Sequence, residues 1–157
     1  MTRLHIPIKL RWSDLDAYGH VNNAEMLRLF EEARIAAFWV DDTGAEGDHS
    51  MAILDGRPGA DTVTIIARQE IEYLLPIPYL RAPLDVQLWL GRMGGSSLEI
   101  CYEVWSPVGS EPRVLYAKAA TTVVLLDAAT QTPRRLTDRE REACTPFLDA
   151  PVEFRRA

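Results

Sequence analysis

Cysteine is nearly absent from this 157-residue chain: Cys101 and Cys144 are its only two. Two thiols make no disulfide framework, and nothing stands at the spacing of a zinc site. Positive charge is in deficit. Seventeen Lys and Arg against 23 Asp and Glu leave a net charge of −6 and a pI of about 5.1. That disfavours non-specific binding to nucleic acid or an anionic membrane. No stretch approaches the roughly 18 apolar residues that span a bilayer, and the N-terminal "MTRLHIPIKL" lacks the apolar run of a signal peptide. A cytoplasmic protein is the simplest expectation. The usual nucleophile motifs are missing too: there is no G-x-S-x-G, and neither cysteine has a histidine near it in sequence.

What is present suits one domain over residues 1–157, with 47% hydrophobic residues to build a core. Leu4, Ile6, Ile8, Leu10 and Trp12 alternate with polar residues and Pro7, the period-2 pattern of a half-buried edge strand. "NNAEMLRLFEEARIAAFWV" then places Met26, Leu29, Phe30, Ala33, Ala36, Ala37 and Val40 on one helical face. Glu25, Arg28, Glu31, Glu32 and Arg34 fall on the other, giving a helix of about five turns. Residues 41–61 are polar and Gly-rich, a long loop. Strand patterns follow at "TVTIIARQEIEYL" and "LDVQLWLGRM", then at "LEICYEVW" across a "GGSS" turn, and at "VLYAKAATTVVLLD". Thr137 and Glu140 stand at capping-box spacing and open a short helix over about 137–148, limited by Pro146. This order predicts an α+β domain, with an antiparallel sheet packed on one long helix.

The densest polar segment, "RWSDLDAYGHVNNAE", lies between the first strand and that helix. Three readings compete. Asp14, Asp16, Gly19 and Glu25 match a calcium-loop pattern, but Tyr18 stands where an oxygen ligand belongs and no helix enters the loop. A turn with a cap explains Gly19, Asn22 and Glu25, Asn22 and Glu25 having capping-box spacing. An active site is the third. Free N–H groups at a helix start stabilise an oxyanion, and a carboxylate just upstream can activate water or attack directly. If the chain is a hydrolase without metal, a carboxylate must carry the chemistry. That suits an activated ester better than an amide, with a thioester the natural candidate.

"DLDAYGHVNNAEML" after a strand, with "ARQEIEYLLPI" and the hairpin "GRMGGSSLEICYEVW", resembles the hotdog-fold acyl-CoA thioesterases of the 4-hydroxybenzoyl-CoA thioesterase-like family. The likeness spans roughly residues 4–127. It implies about five antiparallel strands wrapped around one long central helix, and hydrolysis of an acyl-CoA to free acid and CoA. The alternatives are an acyl-acyl-carrier-protein thioesterase or a non-catalytic hotdog protein that binds an acyl thioester. The resemblance puts the catalytic carboxylate at Asp16 and the oxyanion hole at the backbone N–H of Asn23. Tyr18, His20 and Asn22 join them as groups that orient substrate or carboxylate, while Asp14 braces the turn. It implies a homodimer or homotetramer with the site at the subunit boundary. The Tyr18 mismatch and the two isolated cysteines, for their part, lead to the expectation of no metal and no cofactor. Arg68, on a strand that would face the partner's loop, is a substrate-binding candidate, sharing one face with Glu70, Glu72, Ile66 and Leu74. So are Arg92, Ser96 and Ser97 at the hairpin, which carries fewer basic residues than some relatives place there for CoA phosphates. Arg81, Arg134 and Arg135 are further cations for that role.

Overall fold

A computed structural model describes residues 2–39, 54 and 58–156; Val40 and most of the expected 41–61 loop lie outside the described residues. The elements run β1 (Leu4–Ile8), α1 (Asn23–Phe38), β2 (Thr62–Tyr73), β3 (Leu84–Met93), β4 (Ser97–Trp105), β5 (Leu115–Asp127) and α2 (Asp138–Cys144). The five strands form one sheet in the order β1-β3-β4-β5-β2. Every neighbouring pair is antiparallel. This is the expected α+β hotdog arrangement, with β1 and β2 as its two edges.

Pro7 sits on an edge strand, where a missing ladder N–H is tolerated. The strand is shorter than the alternation suggests. It stops at Ile8, and Trp12 lies in a 3-10 turn with 75% of its surface exposed. The cause is Asp14: its carboxylate captures the Arg11 backbone N–H at 2.7 Å and curls the chain out of the sheet.

Helix α1 has 16 residues, about four and a half turns rather than five. It packs over β1 and β3. Ala33 and Ala37 are fully buried and allow that close approach. Two positions depart from the expected faces. Ala36 is exposed, whereas Arg34 is buried because its guanidinium turns inward to Tyr102 Oη, 3.2 Å away.

The other face of β3 and β4 is covered by the C-terminal segment, which shows no strand or helix periodicity. Asp149 N–H donates to the Leu90 carbonyl at 2.9 Å, and Trp89 Nε1 donates to the Ala150 carbonyl at 2.8 Å. Gly91 makes this crossing possible. A Cβ there would lie 2.7 Å from Cys101 Sγ and 3.1 Å from Pro151 Cα. Both faces of the central strands are thereby buried. Among the described residues no helix is long and apolar enough to cross a membrane.

The capping box expected at α2 forms: Thr137 Oγ1 accepts from Glu140 N–H at 3.1 Å, and Thr137 N–H donates to Glu140 Oε1 at 2.8 Å. Arg134 adds a two-pronged pair to the same carboxylate, at 2.7 and 2.8 Å. Burial pushes the Glu140 carboxyl up, but Arg134 and the Thr137 N–H outweigh it and hold the pKa below the usual value. A carboxyl with a depressed folded pKa adds stability above its unfolded pKa, and loses it as pH falls through the folded one. Glu140→Gln should therefore destabilise by about 1–3 kcal/mol at pH 7. In melting curves against pH, its gap to the parent should narrow below about pH 4.

Candidate active site

The polar junction folds as a tight turn against the N-terminus of α1. Asp14 is its brace. Its side chain is fully buried, with Arg11 N–H on Oδ2 at 2.7 Å and Arg11 Nη2 on Oδ1 at 2.9 Å, while its carbonyl accepts from Asn22 N–H at 2.8 Å. Both Asp14 oxygens are thus engaged by Arg11. Gly19 takes φ +80°, the left-handed conformation the turn requires.

Asp16 is held differently. Its Oδ1 accepts from the Tyr18 N–H at 2.8 Å and the His20 N–H at 3.2 Å, and its own N–H donates to the His20 carbonyl at 2.7 Å. Oδ2 accepts no hydrogen bond among the described residues. Among the described residues the carboxylate is thus held through Oδ1 alone. Asp16, His20 and Asn23 line one cavity of about 370 Å³ with Met26, Tyr73 and Tyr116.

The helix start borders the same cavity. Asn22 is the N-cap, and its Oδ1 accepts from Ala24 N–H at 2.9 Å. It bonds to the second helical N–H rather than the third, so no reciprocal box with Glu25 forms; Glu25 pairs with Arg28 instead, at 3.6 Å. Asn23, the first helical residue, has an N–H with no acceptor among the described residues and the helix dipole behind it.

Sequence reasoning missed Tyr73. Its hydroxyl donates to the Asn23 carbonyl at 2.9 Å and ties β2 to the helix start, with burial pushing its pKa up. Nothing in the alternating strand pattern distinguishes it. The other candidates divide. The Tyr18 side chain is 86% exposed, so only its N–H serves the loop. Arg68 pairs with Glu70 at 3.2 Å and is 75% exposed. A bulge between Ile66 and Arg68 puts these two on opposite faces of β2, contrary to the period-2 expectation. Arg92, Ser96 and Ser97 lie where β3 and β4 turn, at the sheet end opposite Asp16. The fold gathers other cations there. Arg141 Nη2 donates to the Gly94 carbonyl at 2.8 Å, and a Cβ on Gly95 would lie 3.8 Å from Arg135 Nη2. Arg134 is taken up by Glu140 and Thr62.

Neither cysteine competes as nucleophile. Burial pushes the Cys101 thiol up to about 11 and the Cys144 thiol up to about 12, so neither is a thiolate at neutral pH.

A carboxylate held by its turn and a helical N–H with no acceptor among the described residues line one cavity, an arrangement able to support acyl transfer. The model of the thioesterase-like superfamily matches residues 10–155. The chain belongs to that superfamily. It is 29% identical over 96 residues to the uncharacterized protein YsmA of Bacillus subtilis (strain 168); the match takes in 60% of this chain and 56% of that protein. The chain thus matches little more than half the length of this curated relative. A thioesterase from Thermus thermophilus, solved with coenzyme A and zinc, is 28% identical with a TM-score of 0.64 over 92% of each chain. A 1,4-dihydroxy-2-naphthoyl-CoA thioesterase from Synechocystis, 17% identical, has the same fold, with a TM-score of 0.68 over 92% of this chain and 96% of its own.

Proposed function

We propose that this protein is an acyl-CoA thioesterase in which Asp16 is the catalytic carboxylate and the Asn23 N–H the oxyanion donor. The observation that carries the reading is their convergence on one cavity, with one Asp16 oxygen fixed and the other free. Asp16 activates water or attacks the carbonyl carbon itself. In either route the carbonyl oxygen gains negative charge beside the Asn23 N–H, the C–S bond breaks, and CoA leaves as the thiolate. In the first route Asp16 takes the proton of the attacking water and passes it to solvent. In the second, water hydrolyses the acyl-aspartyl anhydride to free acid and restores Asp16. His20 lines the same cavity and Asn22 holds the helix start in place. The coenzyme A in the Thermus thermophilus structure supports a CoA thioester as substrate.

The working unit is a homo-oligomer, at least a dimer, paired through β2. This 12-residue edge strand carries Val63, Ile65 and Ile66 at 38–48% exposure, a long apolar edge of the kind proteins cover. Glu72 Oε1, on the same strand, is buried without a hydrogen-bond partner among the described residues. Two-fold antiparallel pairing of β2 sets the Thr62 end of one copy beside the Tyr73 end of the other. The hairpin carrying Arg92, Ser96 and Ser97, with Arg135 and Arg141, then stands at the same end of the joined sheet as the other copy's Asp16. CoA phosphates bound there would bridge the two subunits. Light scattering should give twice 17.7 kDa or a multiple; an active monomer would contradict this arrangement.

The carrier follows from charge. Acyl carrier proteins are acidic and this chain stands at −6, so their approach is opposed at long range. A CoA needs only a few phosphate contacts. For one acyl chain, kcat/KM should be higher on CoA than on the carrier protein. A tenfold preference for the carrier protein, fading as salt rises, would overturn the assignment of carrier. Binding of acyl-CoA without any thiol release would favour the non-catalytic alternative.

A further inference from the structure

A second cavity, of about 300 Å³, opens between the C-terminal half of α1 and strands β2, β4 and β5. That is within the size range of ligand sites, roughly 300–1,000 Å³. Ile35, Phe38, Ile66, Leu98, Ile100 and Val123 give it apolar walls. Arg34 also lines it, and does not belong with them. Its side chain is 9% exposed, and its hydrogen bond among the described residues goes to a neutral phenol, Tyr102 Oη, at 3.2 Å. Its ion-pair partner, Glu31, is 4.0 Å away and 61% exposed, a distance and exposure at which little is gained. Among the described residues, this buried guanidinium with five donors is left short of acceptors.

We propose that this cavity is a binding site for an aliphatic chain ending in a carboxylate, with Arg34 taking the carboxylate and the apolar walls the chain. Tyr102 holds the guanidinium in position, and Glu31 swings into water when the ligand enters. The site is separate from the catalytic cavity. Arg34 lies eleven residues after Asn23 on the same helix, about 16 Å along its axis. Two sources share this ligand chemistry: a free fatty acid, or the far end of a dicarboxylic acyl thioester.

Calorimetric titration with decanoate and methyl decanoate tests the proposal on the unaltered protein. Decanoate should bind saturably and the ester at least tenfold more weakly. Arg34→Met should weaken decanoate tenfold or more, Arg34→Lys less, and Glu31→Gln should tighten it. Asp16→Asn should leave the affinity unchanged, because the catalytic cavity is not involved. Equal binding of acid and ester overturns the proposal, and the ester comparison stands even if Arg34→Met fails to fold. So does decanoate binding that responds to Asp16→Asn but not to Arg34→Met. The source is then read from hydrolysis, an arm that rests on the thioesterase reading. If Arg34→Met raises KM tenfold for a decanedioyl monothioester and not for decanoyl-CoA, the occupant is the substrate's far end. If KM is unchanged for both while decanoate affinity falls, it is the free acid.

Discussion

Asp16→Asn is expected to lower kcat/KM for an acyl-CoA by about 10²–10⁴ while leaving the melting temperature near that of the parent. The stability half of this expectation comes from which atoms are used. Oδ1 accepts the Tyr18 and His20 N–H groups, and an asparagine Oδ1 accepts them equally well. What is lost is the charge and the oxygen that accepts no hydrogen bond among the described residues, the two features the proposed chemistry requires. Asp14→Asn should behave in the opposite way. Both of its oxygens are used within a fully buried side chain. An amide turned toward the Arg11 N–H sets donor against donor, or gives up the Arg11 guanidinium. A loss of about 1–3 kcal/mol in stability should accompany a smaller loss in rate. Two neighbouring aspartates thus separate rate from stability, and thermal melts with initial rates on both variants check it.

The second large effect is expected from Asn23→Pro, which removes the N–H proposed to stabilise the oxyanion. Proline is favoured at the first helical position, where the missing N–H has no intrahelical partner to lose. The residue before it must be extended, and Asn22 already is, at φ −61° and ψ 134°. The fold therefore tolerates the change. The neighbouring Ala24 N–H is occupied by Asn22 Oδ1 and offers no ready replacement. Removing one oxyanion donor should reduce kcat by about 10²–10³. Asn23→Ala keeps the N–H and should stay close to the parent. If both variants fall equally, the side chain matters and the backbone N–H does not.

Periodicity carried most of the fold. The alternating strands, the face of α1 through Phe30 and Ala33, and the cap at Thr137 all lie where local pattern puts them, because each reflects a single element's burial. What stayed hidden depends on distant partners. Arg34 reads as solvent-facing on a helical wheel, and among the described residues it is Tyr102, 68 residues away, that holds it inward. The bulge after Ile66 changes which side Arg68 faces, and nothing in "TIIARQE" announces it. The cover over Trp89 and Gly91 comes from a segment without periodicity. At the site, the junction was legible because cap, turn and carboxylate are contiguous in sequence. Tyr73 was not, since its contact with Asn23 spans 50 residues. The gathering of Arg135 and Arg141 at the hairpin likewise exists only in three dimensions.

The central claim, thioester hydrolysis by the Asp16 carboxylate, is tested most directly by thiol release from a panel of acyl-CoAs. The unaltered protein and Asp16→Asn are compared at equal folded concentration, with a chelator in the buffer. The account predicts turnover of at least one acyl-CoA by the unaltered protein, unaffected by the chelator and reduced at least a hundredfold in the variant. Equal rates in the two proteins, or release by neither on any acyl chain, would contradict it.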